Sequence, residues 1–253
     1  MKIVVIGGTG LIGSKVVGKL AALGHDALAA APSTGVDMIT GEGLAAALDG
    51  AEIVIDMANS PSFEDQAAMD FFTTAGRNLI AAETVAGVKL HVALSVVGTE
   101  HLQGSGYFRA KLAQETLIEA GPIPYTLLHA TQFMEFLRGI AQSATEGDTV
   151  RLSHALIQPM AAEDVADAVV EAALAPAVNG TIEVGGPETF PIDEIVSRVL
   201  AHDRDPRTVV VDPEARYFGV KLEQNSLIPG PDAKLGRTRF DWWIENVAPP
   251  PKR

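Results

Sequence analysis

The chain has 253 residues, 47% hydrophobic and 20% charged. This balance excludes a disordered or fibrous class and is long enough for one α/β unit with an appended lobe. A formal net charge of -13 repels phosphate backbones and anionic lipid, so neither nucleic acid nor a membrane is an expected partner, and a phosphate-bearing ligand must be held by local backbone dipoles. The absence of cysteine excludes disulfides, thiolate catalysis and Cys-ligated metal, and no metal site is expected.

Met1 to Ile6 carries an apolar run too short for a signal-peptide core, and it leads straight into glycines, so it reads as a strand. With no apolar stretch long enough to span a bilayer, a cytoplasmic protein is expected. The β-branched run Ile3-Val4-Val5-Ile6 suits a strand buried on both faces of a parallel sheet. Beyond Leu11, the positions Ile12, Val16, Val17, Leu20 and Leu23 recur at helical spacing and Gly24 closes the helix. A second strand is predicted over 27–31, a short third over 36–39, a helical turn over 44–48 and a fourth strand over 53–55. A long helix over 63–86, a fifth strand over 88–94, a helix over 107–120 and a sixth strand over 125–128 follow. This alternation predicts a Rossmann-type, doubly wound parallel sheet.

After residue 130 the rhythm loosens. Helices are predicted over 132–144, 162–174 and 192–201, and strands over 181–184 and 208–211. With no flexible linker in the sequence, residues 1–253 read as a single Rossmann-like domain in which about 130–253 contribute a small C-terminal substrate lobe on the open edge of the sheet. The tail Pro249-Pro250-Pro251 is expected to fray.

The turn Gly7-Gly8-Thr9-Gly10-Leu11-Ile12-Gly13 carries the firmest functional signal. Gly7 permits a tight exit from the strand, Gly10 lets backbone approach a pyrophosphate, and Gly13 lets the helix pack closely on the sheet. The N–H groups of the helix start then receive phosphate, so Gly7, Thr9, Gly10, Leu11, Ile12 and Gly13 form the expected dinucleotide-binding set. After the second strand, where a carboxylate would hold a ribose diol and an Arg a 2′-phosphate, stands Ala30-Ala31-Pro32-Ser33-Thr34-Gly35. Ser33 and Thr34 offer hydroxyls without charge, or simply form a turn. The missing carboxylate favours NADP(H) and leaves NAD(H) possible.

The second constellation is Tyr107-Phe108-Arg109-Ala110-Lys111, with Ser95 at the end of the fifth strand. Tyr and Lys four apart share one helix face, with β-carbons roughly 6 Å apart. That spacing suits a proton donor and its tuner, since lowering a tyrosine pKa from about 10 by about three units takes roughly 4 kcal/mol. Ser95 is placed to hydrogen-bond a substrate carbonyl oxygen. Alternatively, Tyr107 merely packs beside Phe108.

GGTGLIG, Ser95 and the Tyr107-to-Lys111 pattern resemble the short-chain dehydrogenase/reductase superfamily. The segments Gly76-Arg77-Asn78-Leu79-Ile80-Ala81-Ala82 and Ala162-Glu163-Asp164-Val165-Ala166 are similar to its atypical, NmrA-like branch, and the resemblance covers roughly residues 1 to 200. It implies a nicotinamide cofactor and hydride transfer to a carbonyl or related acceptor, with Tyr107 as general acid, Lys111 on the nicotinamide ribose and Ser95 orienting substrate. It further implies that Asn59 lines the cofactor groove, or serves as a turn residue, and that His129 lies near the substrate mouth, or is a buried strand-end histidine. Phe133 and Phe136 either pack the lobe with Trp242 and Trp243 or wall an apolar pocket. Two positions depart from the pattern: Pro32 stands where the branch often has Arg, and Phe72 where many members have a catalytic Asn, for which Asn78 is no substitute.

The leading expectation is an NADPH-preferring reductase of a carbonyl or quinone-like small molecule. The alternatives are a non-catalytic dinucleotide redox sensor of the NmrA-like type and, less favoured, an isomerase or epimerase that keeps its cofactor. Substrate identity and oligomeric state are not legible.

Overall fold

The alternation of side chains along the first strand sets the layers of the molecule, which a computed structural model describes for residues 1–247. The elements run β1 (Lys2–Ile6), α1 (Gly13–Ala22), β2 (Asp26–Ala30), α2 (Leu44–Leu48), β3 (Ile53–Asp56), α3 (Asp65–Ala86), β4 (Leu90–Val96), α4 (Gly106–Glu119) and β5 (Tyr125–Ala130). Then come α5 (Leu137–Ser143), β6 (Thr145–Glu146), β7 (Thr149–Leu152), β8 (Leu156–Ile157), α6 (Ala162–Leu174), β9 (Gly180–Gly185), β10 (Phe190–Pro191), α7 (Ile192–His202), β11 (Thr208–Val211), β12 (Arg216–Tyr217), β13 (Val220–Lys221), β14 (Lys234–Leu235) and α8 (Phe240–Asn246). Ile3 and Val5 pack with Val16 and Leu20 of α1 and Val165 and Val169 of α6. Val4 and Ile6 face the other way, onto Leu44 and Leu48 of α2 and Leu79 of α3. Both faces are covered, so the strand is apolar throughout.

The main sheet has seven strands in the order β14-β9-β5-β4-β3-β1-β2, every pair parallel. The fold is thus a doubly wound, Rossmann-type α/β sheet. From β1 the chain crosses to β2 on one side and returns to β3 on the other, so the switch point of the topology lies between β1 and β3, where open α/β sheets bind ligands. β9 and β14, from the second half of the chain, extend the sheet beyond β5. The remainder of that half has its own core, in which Leu137, Ile140, Val150, Ile195, Phe240 and Trp243 meet. Around it lie a three-stranded sheet β11-β7-β6 and the pairs β10-β8 and β12-β13.

Two predicted elements differ. The segment 36–39 is not a strand. The Asp37 carboxylate accepts the Ile39 and Thr40 N–H groups at 2.7 and 3.2 Å, and Gly35 and Gly41 at φ +82° and +78° curl the chain. Val36 and Met38 supply core beside α2 and α3 without entering a ladder. The helix predicted over 132–144 starts late. Gln132 and Phe133 run extended beside Met160, whose N–H donates to the Gln132 carbonyl at 2.9 Å, and a 3₁₀ turn at Met134–Phe136 precedes α5. The tail Pro249-Pro250-Pro251 lies outside the described residues.

Candidate active site

A groove of about 710 Å³ runs along the carboxyl edge of the sheet, within the 300–1,000 Å³ usual for ligand sites. One end is the glycine turn. Gly7 sits at φ +71°, and a Cβ there would lie 2.8 Å from the Met57 carbonyl oxygen, across the switch point. At Gly13 a Cβ would lie 2.2 Å from the Gly7 oxygen, so no larger residue lets α1 start where it does. Helix α1 begins without a side-chain cap or a first-turn acid. Among the described residues, no backbone carbonyl takes the Leu11, Ile12 or Gly13 N–H groups. These amides and the positive end of the helix dipole form an anion cradle with no competing side chain. The α1 lysines do not contribute, since Lys15 and Lys19 pair with Glu163 and Asp167 of α6.

The rim after β2 carries the two predicted hydroxyls, and they differ. Among the described residues, Ser33 Oγ reaches only Thr9 Oγ1, at 3.4 Å. The Thr34 hydroxyl is held inside its own turn, accepting the Ala31 N–H at 2.9 Å and facing the Ala29 and Ala31 carbonyls. The groove wall here is Pro32, Val36, Asp37, Met38 and Ile39. Asp37 was not singled out by sequence, because the turn that folds it back into the groove read as a strand. Asn78 donates to the Met38 and Ile39 carbonyls at 2.8 and 2.9 Å and fixes this wall to α3.

Asn59, Ser95, Tyr107 and Lys111 all line the other end of the same groove. Tyr107 and Lys111 lie on one face of α4 and Ser95 at the end of β4, as their spacing predicts. Each is already engaged. The Tyr107 hydroxyl donates to Asn59 Oδ1 at 3.0 Å; burial pushes its pKa above the ordinary tyrosine value, with Asn59 pulling the other way. Lys111 Nζ donates to the Leu94 carbonyl at 3.0 Å and to Gln114 Oε1 at 2.5 Å. Gln114 Nε2 in turn donates to the buried Asp56 at 2.8 Å. Burial brings the Lys111 pKa down to about 8, against the opposing pull of Asp56 and Glu115. Phe72 lies beneath, its ring centroid 4.8 Å from Nζ. In the protein alone, then, the ammonium is bonded away from the phenol, and the lowering of the Tyr107 pKa expected from sequence is not present.

Ser95 is likewise turned inward. Its hydroxyl donates to Glu115 Oε1, and His129 Nε2 stands 3.1 Å from the same oxygen. Burial pushes the Glu115 carboxyl upward, but His129, Ser95 and Lys111 together hold it below the usual carboxylate range. His129, which pairs with Ser95 across β4 and β5, therefore lies behind the groove as a partner of Glu115; it lines neither cavity. Glu115 escaped the sequence reading because it is one of several polar residues on α4, and nothing in its spacing marks it as buried.

A second cavity of about 180 Å³ opens from Ser95 and Tyr107. Phe63, Phe108, Phe133, Phe136, Tyr217 and Phe218 wall it. Phe133 lines both cavities, while Trp243 belongs to the lobe core and Trp242 is exposed. Among the described residues no group of three or more His, Cys, Asp or Glu is placed to hold a metal, and no helix is long and apolar enough to cross a membrane.

No family model and no curated protein matches the sequence. The fold, by contrast, is shared with solved structures. MoeE5 in complex with UDP-glucose and NAD superimposes with a TM-score of 0.75 at 18% identity, covering 97% of this chain and 96% of that one. A short-chain dehydrogenase/reductase superfamily protein from Agrobacterium tumefaciens with bound NAD gives 0.72 at 18% identity, covering 97% and 95%. The dTDP-4-dehydrorhamnose reductase of Bacillus anthracis in complex with NADP gives 0.67 at 14% identity, covering 94% and 90%. At these identities the likeness establishes the architecture the chain shares with them, a Rossmann-type sheet spanning nearly its whole length.

Proposed function

We propose that the chain is an NAD(P)(H)-dependent oxidoreductase, preferring NADPH, that reduces a carbonyl or quinone-like small molecule at Ser95, Tyr107 and Lys111. The observation that carries this reading is one of placement. Residues from the ends of β1, β3 and β4 and from the start of α4 line one continuous groove, with the glycine cradle at one end and Tyr107 at the other. The free amides at residues 11–13 and the missing Cβ atoms suit a pyrophosphate, and structures of the same fold hold NAD or NADP. NADPH is favoured because residues 30–35 present no carboxylate, Ser33 keeps an exposed hydroxyl, and the Asp37 carboxylate of this wall is engaged by the Ile39 and Thr40 N–H groups.

A dinucleotide held by the glycine turn would supply a hydride for the carbonyl carbon. The chain's own part is the proton and its setting. Tyr107, kept protonated by burial, gives its proton to the carbonyl oxygen as C=O becomes CH–OH, and the phenolate recovers a proton from water. Asn59 orients the phenol through its 3.0 Å hydrogen bond. Lys111, held in the protein alone by the Leu94 carbonyl and by Gln114, stabilises that phenolate once its ammonium turns from these partners toward the phenol. Ser95 and the aromatic walls bound the substrate side.

Purified protein is expected to oxidise NADPH with a carbonyl or quinone acceptor. Tyr107→Phe is expected to lose about 100-fold or more of turnover while its melting temperature still rises with NADPH. Undiminished turnover removes Tyr107 as the acid, and equal melting shifts with NADH and NADPH remove the stated preference. One observation favours a second reading, a non-catalytic dinucleotide sensor: Ser95 and Lys111 are both bonded away from the reacting position. Tight dinucleotide binding with no turnover on a broad acceptor panel would select it.

A further inference from the structure

The wall of the aromatic cavity beside Tyr107 holds an unexplained polar group. Gln132 lines it and is only 6% exposed. Neither its amide oxygen nor its amide nitrogen has a hydrogen-bond partner among the described residues. The group faces the buried Tyr217 hydroxyl, which it draws downward against the raising effects of burial and of Tyr107, but without the geometry of a made bond. Its backbone has no freedom to withdraw the side chain, because the Gln132 carbonyl is pinned by the Met160 N–H at 2.9 Å and the following Met134 N–H by the Met160 carbonyl at 2.9 Å. A buried amide without partners is costly, and native proteins retain one chiefly where something else completes it.

The rest of the cavity narrows what that is. At about 180 Å³ it is close to the roughly 150 Å³ that accommodates one benzene ring, so a sugar nucleotide does not fit. Among the described residues no Lys, Arg, Asp or Glu lines it, which disfavours an ionised ligand in an apolar enclosure. Three other polar groups are already committed, Tyr107 to Asn59, Ser95 to Glu115 and Thr131 to the Gln158 carbonyl, while the Tyr217 hydroxyl lies beside Gln132.

We propose that this cavity takes a neutral, single-ring carbonyl compound whose ring carries, away from the reacting carbon, a group that both donates and accepts hydrogen bonds, a carboxamide or an equivalent, and that Gln132 is the residue that recognises it. An amide offers one acceptor and two donors, and a carboxamide on the ligand answers with the complementary pair. The proposal rests on the reductase reading for the fate of the carbonyl, but the recognition of the ring does not depend on turnover.

The test uses the full chain with NADPH and three acceptors, 4-formylbenzamide, benzaldehyde and 4-formylbenzoate, together with equilibrium binding of benzamide to the NADPH-loaded protein. The expected order of kcat/KM is formylbenzamide over benzaldehyde by about tenfold or more, the discrimination one completed buried hydrogen-bonded group supports, with formylbenzoate last. Gln132→Met, close in shape and without polar atoms, is expected to bring the formylbenzamide-to-benzaldehyde ratio to about one, abolish benzamide binding, and raise the melting temperature, because it removes an unsatisfied amide. Gln132→Leu repeats the comparison should the first variant fold poorly. Turnover without preference for the amide, or a preference that survives Gln132→Met, overturns the proposal. So does a lowered melting temperature in both variants with preference retained, which would make the amide structural. Benzamide binding that depends on Gln132 in a protein that turns over none of the three supports the cavity and removes the reductase reading instead.

Discussion

The two cavities that meet at Tyr107 are built by different means. The groove at the glycine turn has one end made of main chain: a run of amides, shaped by glycines whose side chains would collide with neighbouring backbone, at 2.8 Å for Gly7 and 2.2 Å for Gly13. The aromatic cavity is made of side chains brought from separate places, Phe63 before α3, Phe108 on α4, Gln132 to Phe136 after β5, and Tyr217 and Phe218 in the β12-β13 hairpin. A site of the first kind constrains residue types at fixed spacing within one short segment. A site of the second kind constrains only what arrives at a point in space, from segments up to about 155 residues apart along the chain. Changes in the first should act on cofactor binding and on chemistry together, whereas changes in the second should act on substrate choice alone.

Beyond the loss of turnover in Tyr107→Phe, the largest expected effect concerns Lys111, at the Tyr107 end of the groove. Its folded pKa of about 8 lies below the ordinary 10.5, so the unfolded chain binds this proton more tightly than the folded one. The resulting cost to stability is full below pH 8 and disappears as pH rises from 8 through 10.5. The difference corresponds to about 3 kcal/mol. Lys111→Met leaves the Leu94 carbonyl and Gln114 without a donor, so the slope is the informative quantity. The stability of wild type relative to Lys111→Met, measured by denaturant unfolding, is expected to climb by about 3 kcal/mol between pH 7 and pH 10.5. A flat difference would mean that the ammonium is not held in the buried place described.

Next in size is a pair of substitutions in α1. Gly13→Ala drives a Cβ into the Gly7 oxygen and the Gly8 backbone and should cost about 1–3 kcal/mol, as other forced overpacking does, while removing the melting shift with NADPH. Gly18→Ala, with nothing within 4 Å of the added atom, should stabilise the helix by up to about 1 kcal/mol and keep that shift. If both behave alike, the cradle does not depend on the close approach at Gly13, and the contrast between backbone-made and side-chain-made sites fails at its first term.

The same contrast explains what the sequence disclosed. The strand Ile3 to Ile6, the glycine turn and the amphipathic helix behind it are local, and 3.6- and 2-residue periodicities are enough to find them. Tyr107, Lys111 and Ser95 were legible because a helix start and a strand end fall at the same sheet edge in this topology. Glu115 and Gln132 were not, since a polar residue's burial depends on what packs over it. Nor was the loop at 36–39, where alternating Val36 and Met38 imitate a strand and the carboxylate of Asp37 decides for a turn. The β12-β13 hairpin has only two paired residues on each side, too short for periodicity to register.

That hairpin supplies the smallest predicted effect and the sharpest separation of the two sites. Phe218 and Gly219 at its tip both have positive φ, +46° and +89°, the pair of values a type I′ turn demands and one that a phenylalanine adopts at a cost of about 1–3 kcal/mol. Phe218 is held there by its ring, stacked 5.7 Å from Phe136 and 5.5 Å from Phe63 across the mouth of the cavity. In Phe218→Gly the relieved backbone and the lost ring contacts oppose each other, so global stability should change by less than about 1 kcal/mol. The substrate side has no such compensation: losing one aromatic wall, worth about 1 kcal/mol, should raise KM for a ring-bearing acceptor about fivefold. The affinity for NADPH should not move, because Phe218 does not line the groove that runs from Gly7 to Lys111. A KM that stays put would place the ring-binding wall elsewhere. A weakened NADPH affinity would show that the hairpin reaches into the larger groove and that the two cavities are one site.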